Sequence, residues 1–214
     1  MPAQERDEFR TALIQNGGDA MRDVIAMYEA EFRAFEDKLY ADVTTGKMSV
    51  LDMQKRTYDF VVTMRDRSMK AVRSAPDKDF LAYADTQLEL MRLASKSNFK
   101  ACYEMVELGG LSLDTATSMG PDLRAALTRV SAAQAVAART GAAHPVKREP
   151  AGEAEIQLVV HQYGDRNGDM AWLQAMGSKD FSNVTYEQRC HSAIIWVETL
   201  RAQPDALAAR LLAQ

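Results

Sequence analysis

Residues that usually announce chemistry are scarce in this chain, which has two cysteines, three histidines and two tryptophans among 214 residues. It contains no glycine-rich phosphate loop of the Walker or dinucleotide type, no Gly-x-Ser-x-Gly nucleophile elbow, and no paired cysteine and histidine spacing of a zinc site. Those absences remove the enzyme and metal-binding classes that can be read from short motifs, and no cofactor is expected. Long apolar runs are missing too. None approaches the roughly 18 uninterrupted apolar residues of a membrane span, and the opening "MPAQERDEFR" lacks the apolar centre of a signal peptide. Read as written, the sequence predicts a cytoplasmic protein. A periplasmic or extracellular one follows only if a leader or anchor was removed.

Positive charge is not in excess. A net charge of -4 supplies no bulk basic face for phosphate neutralisation, so nucleic acid is not an expected partner. Strand signals are nearly absent as well: β-branched residues are scattered and no short run alternates cleanly. With 47% apolar and 26% charged residues, the chain is nevertheless that of an ordinary globular protein.

What the sequence has in abundance is helical period. Met21, Ile25, Tyr28, Phe32, Phe35 and Leu39 recur at alternating spacings of four and three, predicting one long helix from the "NGGD" break to Gly46. A short amphipathic piece, "RDEFRTALIQ", precedes it. Ser49 and Asp52 have capping-box spacing and open a second long helix with an apolar face of Leu51, Tyr58, Val62, Met69 and Val72. A third is predicted from Pro76 to the Gly109-Gly110 stop, carrying Leu81, Ala84, Leu88, Met91, Phe99, Cys102 and Val106.

After Gly120 the stripe of Leu123, Leu127, Val130, Ala133 and Ala137 is narrow and small, which allows close backbone approach. The dipeptide Pro-Asp at Pro76, Pro121 and Pro204 marks three helix starts. Four shorter helices are expected beyond "TGAAHPVKREPAGE", residues 140 to 153, which reads as an extended, exposed connection. The predicted fold is all-α: a bundle of seven to nine helices with long antiparallel N-terminal members, one compact domain over 1–214 with a possible sub-boundary at 140–153.

Charge supports the antiparallel pair. Seven acids against three bases between Asp19 and Asp42 give -4, and seven bases against three acids from Lys47 to Arg73 give +4. The main expectation is that these rims pair within the protein. The lesser one is that the basic helix docks an acidic partner or anionic lipid.

Chemistry, if any, rests on few residues. Cys190 lies on an apolar stripe with Tyr186, Ala193, Val197 and Leu200, and Cys102 holds a similar position on its own helix. The leading expectation is two buried free thiols. A Cys102–Cys190 disulfide is the second, implying an oxidising compartment, and a catalytic thiol the third. His191 is about 100° around the helix from Cys190, which argues against a dyad. Glu187 and His191 share a face at i, i+4 and are expected to bond at the surface. His161 is expected to be half-buried and bonded to backbone. The sequence "DRNGD" places Asp165, Asn167 and Asp169 at the first ligand positions of a calcium loop, but Met170 stands at the turn glycine and Met176 at the closing acid, so a capped turn is expected. "NVT" at Asn183 matches a glycosylation acceptor, meaningful only in a secretory context.

Three functional readings follow. The first is a non-catalytic helical interaction or structural protein, with a protein partner or self-association. The second is a helical enzyme or small-molecule binder, with a pocket between the N-terminal helices and the C-terminal part and His161, Tyr163, Glu187 and His191 as its polar candidates. The third is an exported helical domain stapled by Cys102 and Cys190.

Overall fold

The structure is a computed structural model. It describes the backbone of residues 3–107 and 111–214, and the side chains within them other than those of 3, 16–24, 65, 106–107 and 113. Among the described residues there are eleven α-helices and no strand: α1 Ala3–Met27, α2 Glu29–Thr44, α3 Val50–Arg73, α4 Asp77–Ala94, α5 Phe99–Glu107, α6 Leu113–Ser118, α7 Pro121–Ala143, α8 Glu153–Asp165, α9 Met170–Ser178, α10 Tyr186–Arg201 and α11 Asp205–Leu212. The all-α class holds, and the expected count of seven to nine is too low.

The excess has identifiable causes. The predicted third helix is two helices, because Asn98 stops α4 and restarts the chain: its side chain accepts the Ala101 N–H at 3.0 Å, the geometry of an N-cap. Helix α6 arises where glycines suggested only termination, with the Ser112 hydroxyl accepting the Thr115 N–H at 3.3 Å. The first boundary also moves. Helix α1 runs through Gly17 and Gly18 and breaks instead at Tyr28, whose backbone leaves the helical region at φ -135° and ψ 48°. Two interior glycines cost roughly 1 kcal/mol each. Packing on both sides of them outweighs that, with Leu13 and Ile14 before and Ile25 and Met27 after. The side chains of Asp19, Met21 and Val106, and the Gly109-Gly110 stop, lie outside the described residues.

The remaining punctuation behaves as expected. Ser49 and Asp52 form the reciprocal capping box of α3. Pro76 and Pro204 immediately precede α4 and α11, and Pro121 is the first residue of α7. Helices α2 and α3 are antiparallel, joined across their rims by Arg56–Asp42 at 3.1 Å and Arg67–Glu31 at 2.9 Å. As half-exposed pairs they set register more than stability.

Side chains bury in two clusters. Leu13, Phe32 and Leu39 form a small one, flanked by Phe9, Phe35, Met53 and Phe60, with Phe35 stacked on Phe60 at 4.2 Å. The larger runs from the C-terminal half of α3 to α11 and includes Val72, Leu90, Met91, Leu123, Val130, Tyr163 and Trp172. Helix α3 contributes to both and so couples them.

One reading of α3 is corrected. Leu51, placed on the α3 apolar face by its period, is 73% exposed, because it lies about 200° around the helix from Met53, the side on which this end of α3 meets the small cluster. The polar Thr57 and Ser68 are buried instead. Ser68 accepts from Gln134 Nε2 of α7 at 3.2 Å, a bond across the α3–α7 crossing. There a Cβ built on Gly141 would stand 1.9 Å from the Ala71 carbonyl oxygen, so this crossing admits only glycine.

Residues 140–143 of the expected connection belong to the end of α7; beyond them the chain is extended and mostly exposed, as expected, but it is pinned at one side chain. Arg148 is half-buried with its side chain 8% exposed; it donates to the Arg73 and Ala75 carbonyls at 2.6 Å each and to Asp77, and lies over the Phe80 ring at 5.1 Å. The Val146 N–H donates to the Ser74 carbonyl at 2.7 Å. A guanidinium thus satisfies the carbonyls that the end of α3 leaves open.

Candidate functional site: the seam between α5 and α10

Helices α5 and α10 run antiparallel, and their residues meet in register. Cys102 and Cys190 are both fully buried, with their sulfurs at the bonding distance of 2.07 Å and Cα atoms 5.3 Å apart. The expected inward-facing stripe of α10 is observed at Cys190, Ala193 and Leu200, with Val197 half-buried, whereas Tyr186, expected on the same stripe, is 51% exposed because it stands at the first turn of the helix. Two buried free thiols, the leading expectation, are replaced by a disulfide pair. Periodicity along one helix places each sulfur inward but carries no information about which residue it faces.

The residue after Cys102 and the residue before Cys190 turn one step outward and build the rim. Tyr103 stacks on Tyr186, centroids 4.6 Å apart and 11° from parallel. Arg189 lies against Tyr103, Tyr186 and Phe181 at 4.6 to 5.4 Å, its guanidinium also donating to the Phe181 carbonyl at 2.7 Å and its Nε to the Val184 carbonyl at 3.0 Å. The cation is thereby fixed in a bracket of three rings and two carbonyls. Further along the seam His191 meets Phe99 edge-on at 5.7 Å.

Burial, reinforced by a hydrogen bond with Tyr186, pushes the Tyr103 hydroxyl up to about 12. Neighbouring Glu104 is buried, and its carboxylate accepts the Ser112 N–H and hydroxyl at 2.9 and 3.0 Å, holding the turn into α6. Lys100 bridges outward to Asp114 at 3.1 Å.

The four polar candidates do not converge. Tyr163 is fully buried, donates to the Asp169 carbonyl at 3.2 Å, and packs its ring beside Trp172 and Trp196. Burial raises its hydroxyl pKa. His161 is exposed on α8, 3.6 Å from Asp165, which corrects the half-buried expectation. Position 161 falls on the outer face of α8, opposite Val159 and Tyr163. Glu187 and His191 are both exposed on α10. "DRNGD" is a turn: Asn167 takes a left-handed φ of 59°, Asp169 caps α9 through Ala171 N–H at 2.8 Å, and Gly168 lies under the Tyr163 ring. Among the described residues, no three acidic, cysteine or histidine side chains gather as a metal site.

Tyr103, Phe181 and Arg189 were not singled out by sequence reasoning. The available signal was adjacency: Tyr103 and Arg189 flank the two cysteines. Only the inter-helix pairing shows that this adjacency matters.

The fold and seam define an all-α protein with a buried cystine, in which no described helix is long and apolar enough to cross a membrane. Compared with protein-family models, curated proteins and solved structures, the chain matches none.

Proposed function

We propose that this chain is a non-catalytic helical interaction module, folding as one unit and working where thiols are oxidised. Its contact face is the aromatic shelf over the α5–α10 seam. The observation that carries the reading is the shelf itself: Tyr186, 51% exposed, is stacked on Tyr103 and held beside Arg189 directly above the Cys102–Cys190 pair. Tyrosine and arginine are the side chains that concentrate binding energy at protein interfaces. A shelf whose two helices are covalently joined also loses little freedom on binding.

The enzyme reading draws no support from His161, Tyr163, Glu187 and His191, which lie apart or inside the core. The stapled-domain reading is absorbed into the proposal, since a persistent cystine belongs to an oxidising compartment. The test is a photo-crosslinking amino acid at position 186 in living cells, with exposed position 149 as control. A discrete adduct at 186 alone is expected. Its absence, or the same adducts at both positions, overturns the proposal.

A further inference from the structure

A second surface lies at the α2–α3 turn. Val50 and Leu51, consecutive at the start of α3, are 69% and 73% exposed. Period alone assigns Leu51 to the core, yet it projects outward beside Val50, forming an aliphatic tip. Four residues to either side of Leu51 stand Lys47 and Lys55, both exposed. Of the acids nearby, Asp52 is folded back onto Ser49, its carboxylate accepting the hydroxyl at 2.7 Å, and Asp42 is paired with Arg56. Within five residues of Leu51 the charged side chains are Lys47, Lys55 and Arg56 against Asp52 alone, so the apolar tip carries a positive surround, with Arg56 paired to Asp42 and Asp59 one turn further along α3.

We propose that this tip inserts Val50 and Leu51 into the headgroup region of an anionic phospholipid surface, with Lys47 and Lys55 meeting lipid phosphates. Two features select a membrane over a protein partner. Two adjacent side chains on a convex turn cannot supply the ~800 Å² per partner that a stable protein complex buries. A bilayer demands no matching contour; it requires aliphatic groups that reach past the headgroups and cations that stay among them. The inference is independent of the cystine and of the aromatic shelf.

Co-sedimentation of the intact protein with vesicles tests it. Vesicles containing phosphatidylglycerol should bind the protein at least about tenfold more tightly than pure phosphatidylcholine, since each lysine near an anionic surface contributes about fivefold. V50S/L51S should lose about tenfold or more of that binding with an unchanged far-ultraviolet circular dichroism spectrum. K47S/K55S should abolish the preference for anionic lipid. Failure of the wild-type protein to sediment with anionic vesicles overturns the proposal, as does undiminished binding by V50S/L51S. Self-association that V50S/L51S removes, without vesicle binding, overturns it in favour of a second copy.

Discussion

Replacing Gly141 with alanine should destabilise the protein, although a glycine-to-alanine change inside a helix ordinarily does the reverse. Gly141 lies in α7, and a Cβ there would stand 1.9 Å from the Ala71 carbonyl oxygen, 2.8 Å from its carbon and 2.9 Å from the Ala75 nitrogen. All three are backbone atoms, so no side chain can swing aside. Ordinary carbon–oxygen contact requires α3 and α7 to separate by more than 1 Å locally, roughly the gap at which packed atoms forfeit a quarter to a half of their attraction. The crossing also contains the buried Gln134–Ser68 bond, which such a shift would strain. Overpacking of this kind costs about 1–3 kcal/mol, set against a helix-propensity gain of about 1 kcal/mol. With backbone on every side, the upper part of that range applies, giving a net loss of about 2 kcal/mol. Gly164 in α8 and Gly177 in α9 have nothing within 4 Å of the corresponding position. G164A should therefore gain about 0.5–1 kcal/mol by the same propensity. Urea unfolding followed at 222 nm reads both variants against wild type. If G141A is as stable as G164A, the two helices do not approach as described.

Other outcomes follow from the same geometry. The Cys102–Cys190 pair closes a sequence separation of 88 residues, so C102A/C190A should lose about 4–5 kcal/mol in the chain-entropy account, measured from urea midpoints; a loss under about 1 kcal/mol would contradict it. R148A removes charged hydrogen bonds to the carbonyls ending α3 and should cost about 2–3 kcal/mol, with faster amide exchange at Val146; unchanged exchange there would show the connection is not pinned. Tyr103 has a pKa raised above that of an unfolded tyrosine, so its stabilising contribution is complete below about pH 10 and lost as pH rises toward about 12. Absorbance titration should show a late-ionising tyrosine that Y103F removes; loss of an early one instead would refute the assignment.

Helix existence was legible because burial imposes a period: Phe32, Leu39, Leu88, Met91, Cys190 and Ala193 face inward as their spacing requires. Capping chemistry was equally legible at Ser49, Pro121 and Pro204. Boundaries failed where one short polar side chain decided them, as at Asn98, or where packing overrode a glycine pair, as in α1. Leu51 shows the limit of period near a helix end: this end of α3 meets the small cluster on the side that carries Met53, not on the stripe that Leu51 continues. The seam was half legible. Each cysteine was placed inward on its own helix, whereas partner choice and the Tyr103–Tyr186–Arg189 bracket depend on how α5 and α10 meet. Arg148 offered no local signal, since an arginine between prolines looks solvated until the carbonyls it serves are located.

The most direct test of the account is peptide mapping of the protein purified without reductant and alkylated while unfolded. A single cross-linked species joining the peptides of Cys102 and Cys190, which separates only after reduction, is the predicted result. Recovery of both cysteines as alkylated free thiols would contradict it.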